Sequence, residues 1–486
     1  MTKDKQKSPA SIGSTEEKRA HIAASAFEIK QRRLILFTAV TANLLGNVGL
    51  IGINVALPSI QKEMSLGAVQ MAWVSLATML VMAMFSAPMA RVSDLVGRKR
   101  VTIVGLWVTI IASAGCALSG GFWTLIFFRA LTGLGLVSFF TTVTTMITAA
   151  YPANERGRVL GLSIASVYIG LSFGPIVSGF IVEYLGWQAI FWFTVVGMLP
   201  PMALIHMVKR DPPTTPDEKL DKTGVALWML GVAIGFIGLA SLGKTSAVHL
   251  LVIGLLLGAL FVIRTLKSPN PIVDMRLFLD SRRFSFSSLA AYISYLSSTS
   301  GTFLLSLYLQ YSRGLSPSGA GLFLIAQPVV QAFLTPIAGR MSDRYDAGRL
   351  ASAGMTVIMT AILLFAFNLG SDTPTALLIF TMSLTGAGFA FFSAPNTNAI
   401  MSAVPRVRLG QASGVITVTR LFGQISSIAL ITIVFSVVIG PGEITEDKYQ
   451  AFITASRICF FIFAPLCFTG ILASLARGRK IRVEEK

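Results

Sequence analysis

The sequence predicts an all-α polytopic membrane protein, with two six-helix bundles plus two extra central helices, fourteen crossings in all, and both termini in the cytoplasm. Three observations predict it. Of 486 residues, 53% are hydrophobic and only 13% charged, more apolar surface than one soluble core can hide. The apolar residues gather in runs that match the roughly 20 residues needed to cross a hydrocarbon layer of about 30 Å. The basic residues fall mostly on one side of those runs, as the positive-inside rule describes.

In order, the runs cover 34–57, 70–90, 101–119, 122–150, 158–182, 187–208, 223–243, 247–266, 285–311, 316–338, 350–368, 374–400, 411–440 and 449–475. They are continuously apolar, which favours helices over barrel strands that alternate across about ten residues. The first follows a polar segment with eight basic residues and is too long for a signal-peptide core, so residues 1–33 read as a cytoplasmic tail. Its portion from Glu16 to Arg33 is compatible with a basic helix on anionic lipid and equally with a disordered tail. After the sixth run comes the proline-bearing KRDPPTTPDEKLDK, and after the eighth a polar stretch from Lys267 to Arg283. The chain therefore divides into a tail (1–33), a six-helix bundle (34–208), a linker (209–222), two inserted helices (223–266), a linker (267–284), a second six-helix bundle (285–475) and a tail (476–486).

A net charge of +18, from 40 basic against 22 acidic residues, would indicate nucleic acid only if the basic residues shared one exposed patch. Instead, 33 of the 40 lie in tails and loops on the side of the termini, and only Lys62, Lys244, Arg313 and Lys448 lie opposite. Arg129, Arg420 and Arg457 fall within spans. This asymmetry argues against nucleic acid as the partner and supports an even number of crossings. Cys116, Cys459 and Cys467 all sit in spans, so neither a disulfide framework nor a metal site is expected.

The halves repeat. VSDLVGRKR (Val92 to Arg100) follows the second run and MSDRYDAGR (Met341 to Arg349) the tenth, with the two aspartates, Asp94 and Asp343, 249 apart. Gly157 opens the fifth run with Gly161 four residues on, and Gly410 opens the thirteenth with Gly414 likewise, an offset of 253. Two homologous bundles that rock about a central site are the plan of a secondary transporter.

Two enzyme signatures match only by spacing. Gly238 to Thr245 fits a phosphate loop, but a hydrophobic helix, not a strand, precedes it, and it faces the non-cytoplasmic side. Gly170-Leu-Ser172-Phe-Gly174 fits a nucleophile elbow but lies inside a span, and His21, His206 and His249 are remote from it. The same segment has a better reading. Ser166, Gly170, Gly174 and Ser178 recur every four residues, a stripe along which two helices approach closely. Pro175 frees the carbonyl of Leu171 and offers a pivot to a moving bundle, or the stripe is plain packing.

Gly170-xxx-Gly174-Pro175-xx-Ser178-Gly179 resembles the antiporter motif of the fifth helix in the major facilitator superfamily, with Ser178 in place of a usual glycine. Ala90-Arg-Val-Ser-Asp94-Leu-Val-Gly97-Arg98-Lys99 resembles that superfamily's loop between helices two and three, and Leu125-xxx-Arg129-xxx-Gly133-Leu-Gly135 its fourth-helix motif. Gly186-Trp187-Gln-Ala-Ile-Phe191-Trp192-Phe193 and Tyr308-Leu309-Gln310 are similar to the fourteen-helix drug/proton antiporter group, and the matches run from about Leu34 to Phe435. The resemblance implies a secondary transporter that exports amphipathic compounds against inward proton flow. It also implies a conformational gate at Asp94, Gly97, Arg98, Gly170, Gly174, Pro175 and Gly179, with Asp343 and Arg344 as a weaker copy; the alternative is that the basic residues of the turn merely orient the loop.

One departure stands out. In these relatives the first helix carries an acid before Asn-Val-Ala-Leu-Pro; aligning Asn54 to Pro58 puts Gly49 at the acid and Ile51 at a threonine. All the acidic residues fall in a tail, a loop or a helix end, whereas Arg129 lies inside a span. A guanidinium there costs at least about 3 kcal/mol unless it meets water or a partner. Either it bonds carbonyls and the amides of Asn43, Asn47 or Asn54, or its counter-ion arrives as an anionic substrate, with Arg420 adding attraction. Further cavity candidates are Tyr168, Tyr292, Tyr295, Gln310, Gln327, Gln331, Asn396, Asn398 and Gln424, polar groups on apolar helices that serve either as helix–helix bonds or as ligands.

The expectation is a multi-pass carrier of the cell inner membrane and not an enzyme. It exports small amphipathic compounds by alternating access and needs no cofactor or metal. Its partners are the lipid bilayer, a small amphipathic or anionic substrate, and protons as a candidate coupling ion, and it acts as a monomer. A uniporter or uptake carrier for an organic anion on the same fold is the alternative.

Overall fold

The computed structural model describes residues 10–209, 211, 220–241, 246–269, 271–404, 409–440 and 442–477. Among them the regular structure is helical, without strands. The first bundle comprises α1 (Ala10–Met64), α2 (Ala68–Val96), α3 (Arg98–Ala117), α4 (Phe122–Ala150), α5 (Ala153–Leu185), α6 (Gln188–Gly197) and α7 (Leu199–Met207). The last two form one crossing, interrupted at Met198 because Pro200 and Pro201 lack the N–H that a continuing helix would use. The inserted pair is α8 (Lys222–Ala240) and α9 (Ser246–Lys267). A short α10 (Arg276–Asp280) then leads to α11 (Arg282–Tyr311), α12 (Pro317–Leu324), α13 (Ala326–Arg344), α14 (Ala347–Asn368), α15 (Thr375–Met401), α16 (Leu409–Val438) and α17 (Tyr449–Ala476). Asp221, Ser281, Ser316 and Asp346 start α8, α11, α12 and α14 by accepting the first free N–H groups.

Thirteen stretches of described helix are long and apolar enough to cross a membrane, with α12 and α13 joined in one of them. The remaining expected span, 285–311, is the 30-residue α11, which is long enough but carries eight serines. Its serines are tolerated because it runs through protein: α15, α16 and α17 pack on it from its own bundle and α1 from the other. The helix that starts the first span reaches back to Ala10, so the segment expected as a tail is helical over its described part. Gln31 in this extension is buried and accepts the N–H of Lys209 at 2.7 Å, tying it to the start of the first linker.

Within the first bundle α1 packs on α5, and α4 on α2 and α3; within the second α14 and α13 pack on α15, and α11 on α16 and α17. The bundles meet along two seams, α2 with α16 and α5 with α12. Under the repeat read from sequence, α2 corresponds to α12–α13 and α5 to α16, so each seam is the image of the other. The inserted pair does not separate the bundles. It docks outside the first seam, where the Trp228 indole N–H donates to the Met84 carbonyl at 3.0 Å and its ring stacks on Phe422, centroids 5.4 Å apart.

Candidate functional site

A cavity of about 650 Å³ lies between the bundles. Its walls differ in character. The first bundle contributes Leu50, Ile51, Met79, Met82, Phe140, Ala165, Ile169 and Phe173, relieved by Asn47, Asn54 and Ser172. The second contributes Gln327 and Gln331 one turn apart on α13, Arg420 and Gln424 one turn apart on α16, and Tyr295, Ser298, Thr299 and Thr302 along one face of α11. Asn47 donates to the Asn43 carbonyl at 2.7 Å and Asn54 accepts from Ser75 at 3.1 Å, leaving an acceptor on the first amide and a donor on the second. Gln327 accepts weakly from Thr302 at 3.5 Å. Gln331, Gln424 and Arg420 have no partner among the described residues, so their donors face the cavity unspent.

The cavity opens toward the end of the bundles that bears the α2–α3 and α4–α5 connections, the end expected to be cytoplasmic. Lining residues nearer the cytoplasmic ends, Gly161, Ala165 and Pro336, are exposed, whereas Leu50, Asn54 and Leu324 toward the other face are buried. Hydrogen bonds between the bundles gather at that outer end. Ser306 donates to the Asn54 carbonyl at 3.0 Å and Gln310 to the Val55 carbonyl at 3.1 Å. The Tyr311 hydroxyl meets Gln61, and Glu183 accepts the Ser318 N–H at 3.1 Å. Gly179 permits this closure, since a Cβ there would sit 2.5 Å from the Pro317 carbonyl oxygen. The small-residue stripe is also a close approach: Cβ atoms at Gly170 and Gly174 would strike Leu44 and Ile51 of α1. Pro175 lines the cavity, and its carbonyl lies against Gly321 of α12.

The α2–α3 turn lies at the cytoplasmic end. Gly97 turns the corner with φ +116°, and Arg98 holds Asp94 of the preceding turn through Nε at 2.9 Å and Nη2 at 2.6 Å. The Asp211 carboxylate from the first linker accepts the Lys99 N–H at 3.0 Å, at the positive end of α3. Arg344 is exposed at the end of α13; the side chain of Asp343 lies outside the described residues, as does that of Tyr168.

Packing bears on three readings that the sequence leaves open. Arg129 does not line the cavity: it is buried among α2, α3 and α4, its Nε donates to the Val74 carbonyl at 3.0 Å, and its Nη2 lacks a partner. The amides suggested for it are engaged elsewhere, Asn43 with Ser163 at 2.9 Å and Asn47 with Asn43. Gly49 does not face the cavity either; a side chain there would run into the Thr194 hydroxyl of α6, so α1 and α6 occupy the space an acid would need. Finally, Tyr292, Gln310 and Asn396 do not line the cavity and serve as helix–helix bonds: Tyr292 to Ser426 at 2.8 Å, Gln310 to the outer contact above, and Asn396 to the Ser287 carbonyl at 3.0 Å and to the buried Arg477 at 3.1 Å. Asn398 bonds Ser342 at 2.6 Å. Ser298, Thr299 and Thr302 escaped the sequence reading, although their spacing with Tyr295 marks one polar helical face.

The family model described as "Major Facilitator Superfamily" matches residues 36–264 and 287–485. The riboflavin transporter RibZ of Clostridioides difficile is 28% identical over 433 residues, 88% of this chain and 93% of its own length. The multidrug resistance protein Stp of Mycobacterium tuberculosis is 30% identical over 393 residues, 78% and 71% of the two chains. Among solved structures, a bacterial homologue of the human lysosomal transporter Spinster, inward-facing and unoccupied, superposes with a TM-score of 0.66 at 17% identity, covering 93% of this chain and 99% of that one. A peptide transporter in complex with sulfate gives 0.68 at 14% identity, covering 92% and 96%. These two likenesses concern the fold.

Proposed function

Because the chain belongs to the major facilitator superfamily, and is thus a multi-pass secondary transporter, we propose that it exports amphipathic organic anions across the cell membrane by alternating access. The observation that carries this reading is the two-sided cavity, with an apolar, methionine- and phenylalanine-bearing wall on the first bundle facing amides and the unpaired Arg420 on the second. An amphipathic molecule satisfies both walls at once, its apolar body on one and its charged or hydrogen-bonding edge on the other. Arg420 takes over the role first considered for Arg129, because it reaches the cavity and has no carboxylate partner among the described residues. Export is favoured by the names of two relatives, the resistance protein above and the methylenomycin A resistance protein of Bacillus subtilis, 26% identical over 406 residues. The six-two-six order of helices supports a place near the fourteen-helix exporters.

The test uses proteoliposomes and three planar dyes: resorufin, a monoanion at neutral pH, its uncharged methyl ether, and cationic ethidium. Wild-type protein carries resorufin in preference to the other two. Replacing Arg420 with Gln removes a charge-assisted hydrogen bond worth about 1.5–3 kcal/mol, which lowers resorufin flux relative to the ether roughly 10- to 100-fold. An unchanged ratio, or a preference for ethidium, refutes the anion reading.

A further inference from the structure

What drives the cycle follows from charge, given the anion reading above. Every acidic residue of the chain falls, by sequence, in a tail, a loop or a helix end; among the described residues none lines the cavity, and Arg420 is the one lining residue with a permanent charge. The place where a proton-binding acid was expected, Gly49, is closed off by Thr194. We propose that export is electrogenic and powered by the membrane potential itself, without a coupling ion, and that the voltage acts on the return of the empty carrier.

The cavity holds one positive charge when empty and none when a monoanion sits on Arg420. The loaded carrier therefore turns outward without moving net charge, and the pairing lowers the cost of enclosing a guanidinium during that step. The empty carrier returns with Arg420 alone, moving a positive charge from outward to inward access, which an inside-negative potential favours. Each cycle expels one negative charge. An inside-negative potential of about 100 mV acts on one charge with about 2.3 kcal/mol, equivalent to a roughly 50-fold outward concentration ratio. Proton release to a carboxylate has no part in this cycle.

The test compares net efflux with exchange in proteoliposomes of the full chain, with resorufin as the anion and potassium gradients with valinomycin setting the potential. Net resorufin efflux rises when the interior is made negative and falls when the gradient is reversed. Exchange of resorufin for resorufin, which never passes through the empty carrier, is indifferent to voltage, and a pH gradient at clamped potential changes neither. In Arg420→Gln the empty carrier is neutral and the loaded one carries the charge, so voltage sensitivity passes into exchange. Arg420→Lys keeps the wild-type pattern at its own rate and controls for folding. Efflux that follows the pH gradient at clamped potential, or net efflux indifferent to voltage, overturns the proposal while leaving the anion reading intact. Absence of protein-dependent resorufin flux, or flux equal to that of the methyl ether, overturns the anion reading itself.

Discussion

At the scale of single residues, the two most conspicuous features of the sequence have packing explanations. Gly49 is a glycine because α1 lies against Thr194 of α6. Introducing the acid by Gly49→Asp overpacks this contact, at about 1–3 kcal/mol before any cost of a buried carboxylate. We expect a lower melting temperature in detergent and no gain of ethidium export. Trimming the neighbour as well, in Gly49→Asp/Thr194→Ala, should recover part of the lost stability; failure to recover it would place the strain elsewhere. Arg129 is a helix-bundle residue that spends Nε on the Val74 carbonyl. Its replacement by Gln forfeits that bond, about 1–3 kcal/mol, and should lower thermal stability while leaving the resorufin-to-ether flux ratio of wild type. A shift in that ratio as large as that from Arg420→Gln would return Arg129 to the transport route.

At the scale of elements, α11 shows why apolarity alone undercounts the crossings. Its serines Ser287, Ser294 and Ser300 are completely buried, and Ser298 lines the cavity. A helix surrounded by protein and a water-accessible cavity has no lipid to satisfy, so its composition drifts toward small polar residues. The inserted pair shows the reverse case: α9 presents Leu255, Leu256 and Ile263 outward, and its partner α8 packs on the bundles through Trp228 and Phe236, both against Phe422. Trp228→Ala removes the ring from Phe422 and Phe261 and the bond to Met84. A loss of about 3 kcal/mol is the order expected for deleting a buried indole, read as a fall in melting temperature. Transport of resorufin should persist, since the pair lies outside the seam and α8 and α9 contribute nothing to the cavity lining.

At the scale of the whole molecule, the structure is a carrier open at the end that bears the α2–α3 turn, with its opposite end held by bonds from α1, α2 and α5 to α11, α12 and the loop after α16. The closure depends on backbone contact at Gly179. Gly179→Val wedges α5 from α12 at that end, shifting the balance of states outward by roughly tenfold for each 1.4 kcal/mol of strain. A cysteine placed at Thr335, on the cytoplasmic side of the cavity, should then label more slowly from that side; the three native cysteines are buried and do not interfere. Unchanged labelling would show that the outer contact does not govern the equilibrium.

Much of this was legible beforehand. The all-helical, lipid-spanning class follows from the number and length of the apolar runs, which report on solvent along the chain. The stripe of Ser166, Gly170, Gly174 and Ser178 announced a close helix contact in the same way, because spacing on one helix needs no knowledge of its neighbour. Which helix that neighbour is, and which way a lone polar side chain points, is a matter of rotation about the helix axis relative to other helices. Arg129 and Arg420 look alike in sequence, and only tertiary packing sends the first toward α2 and α3 and the second into the cavity.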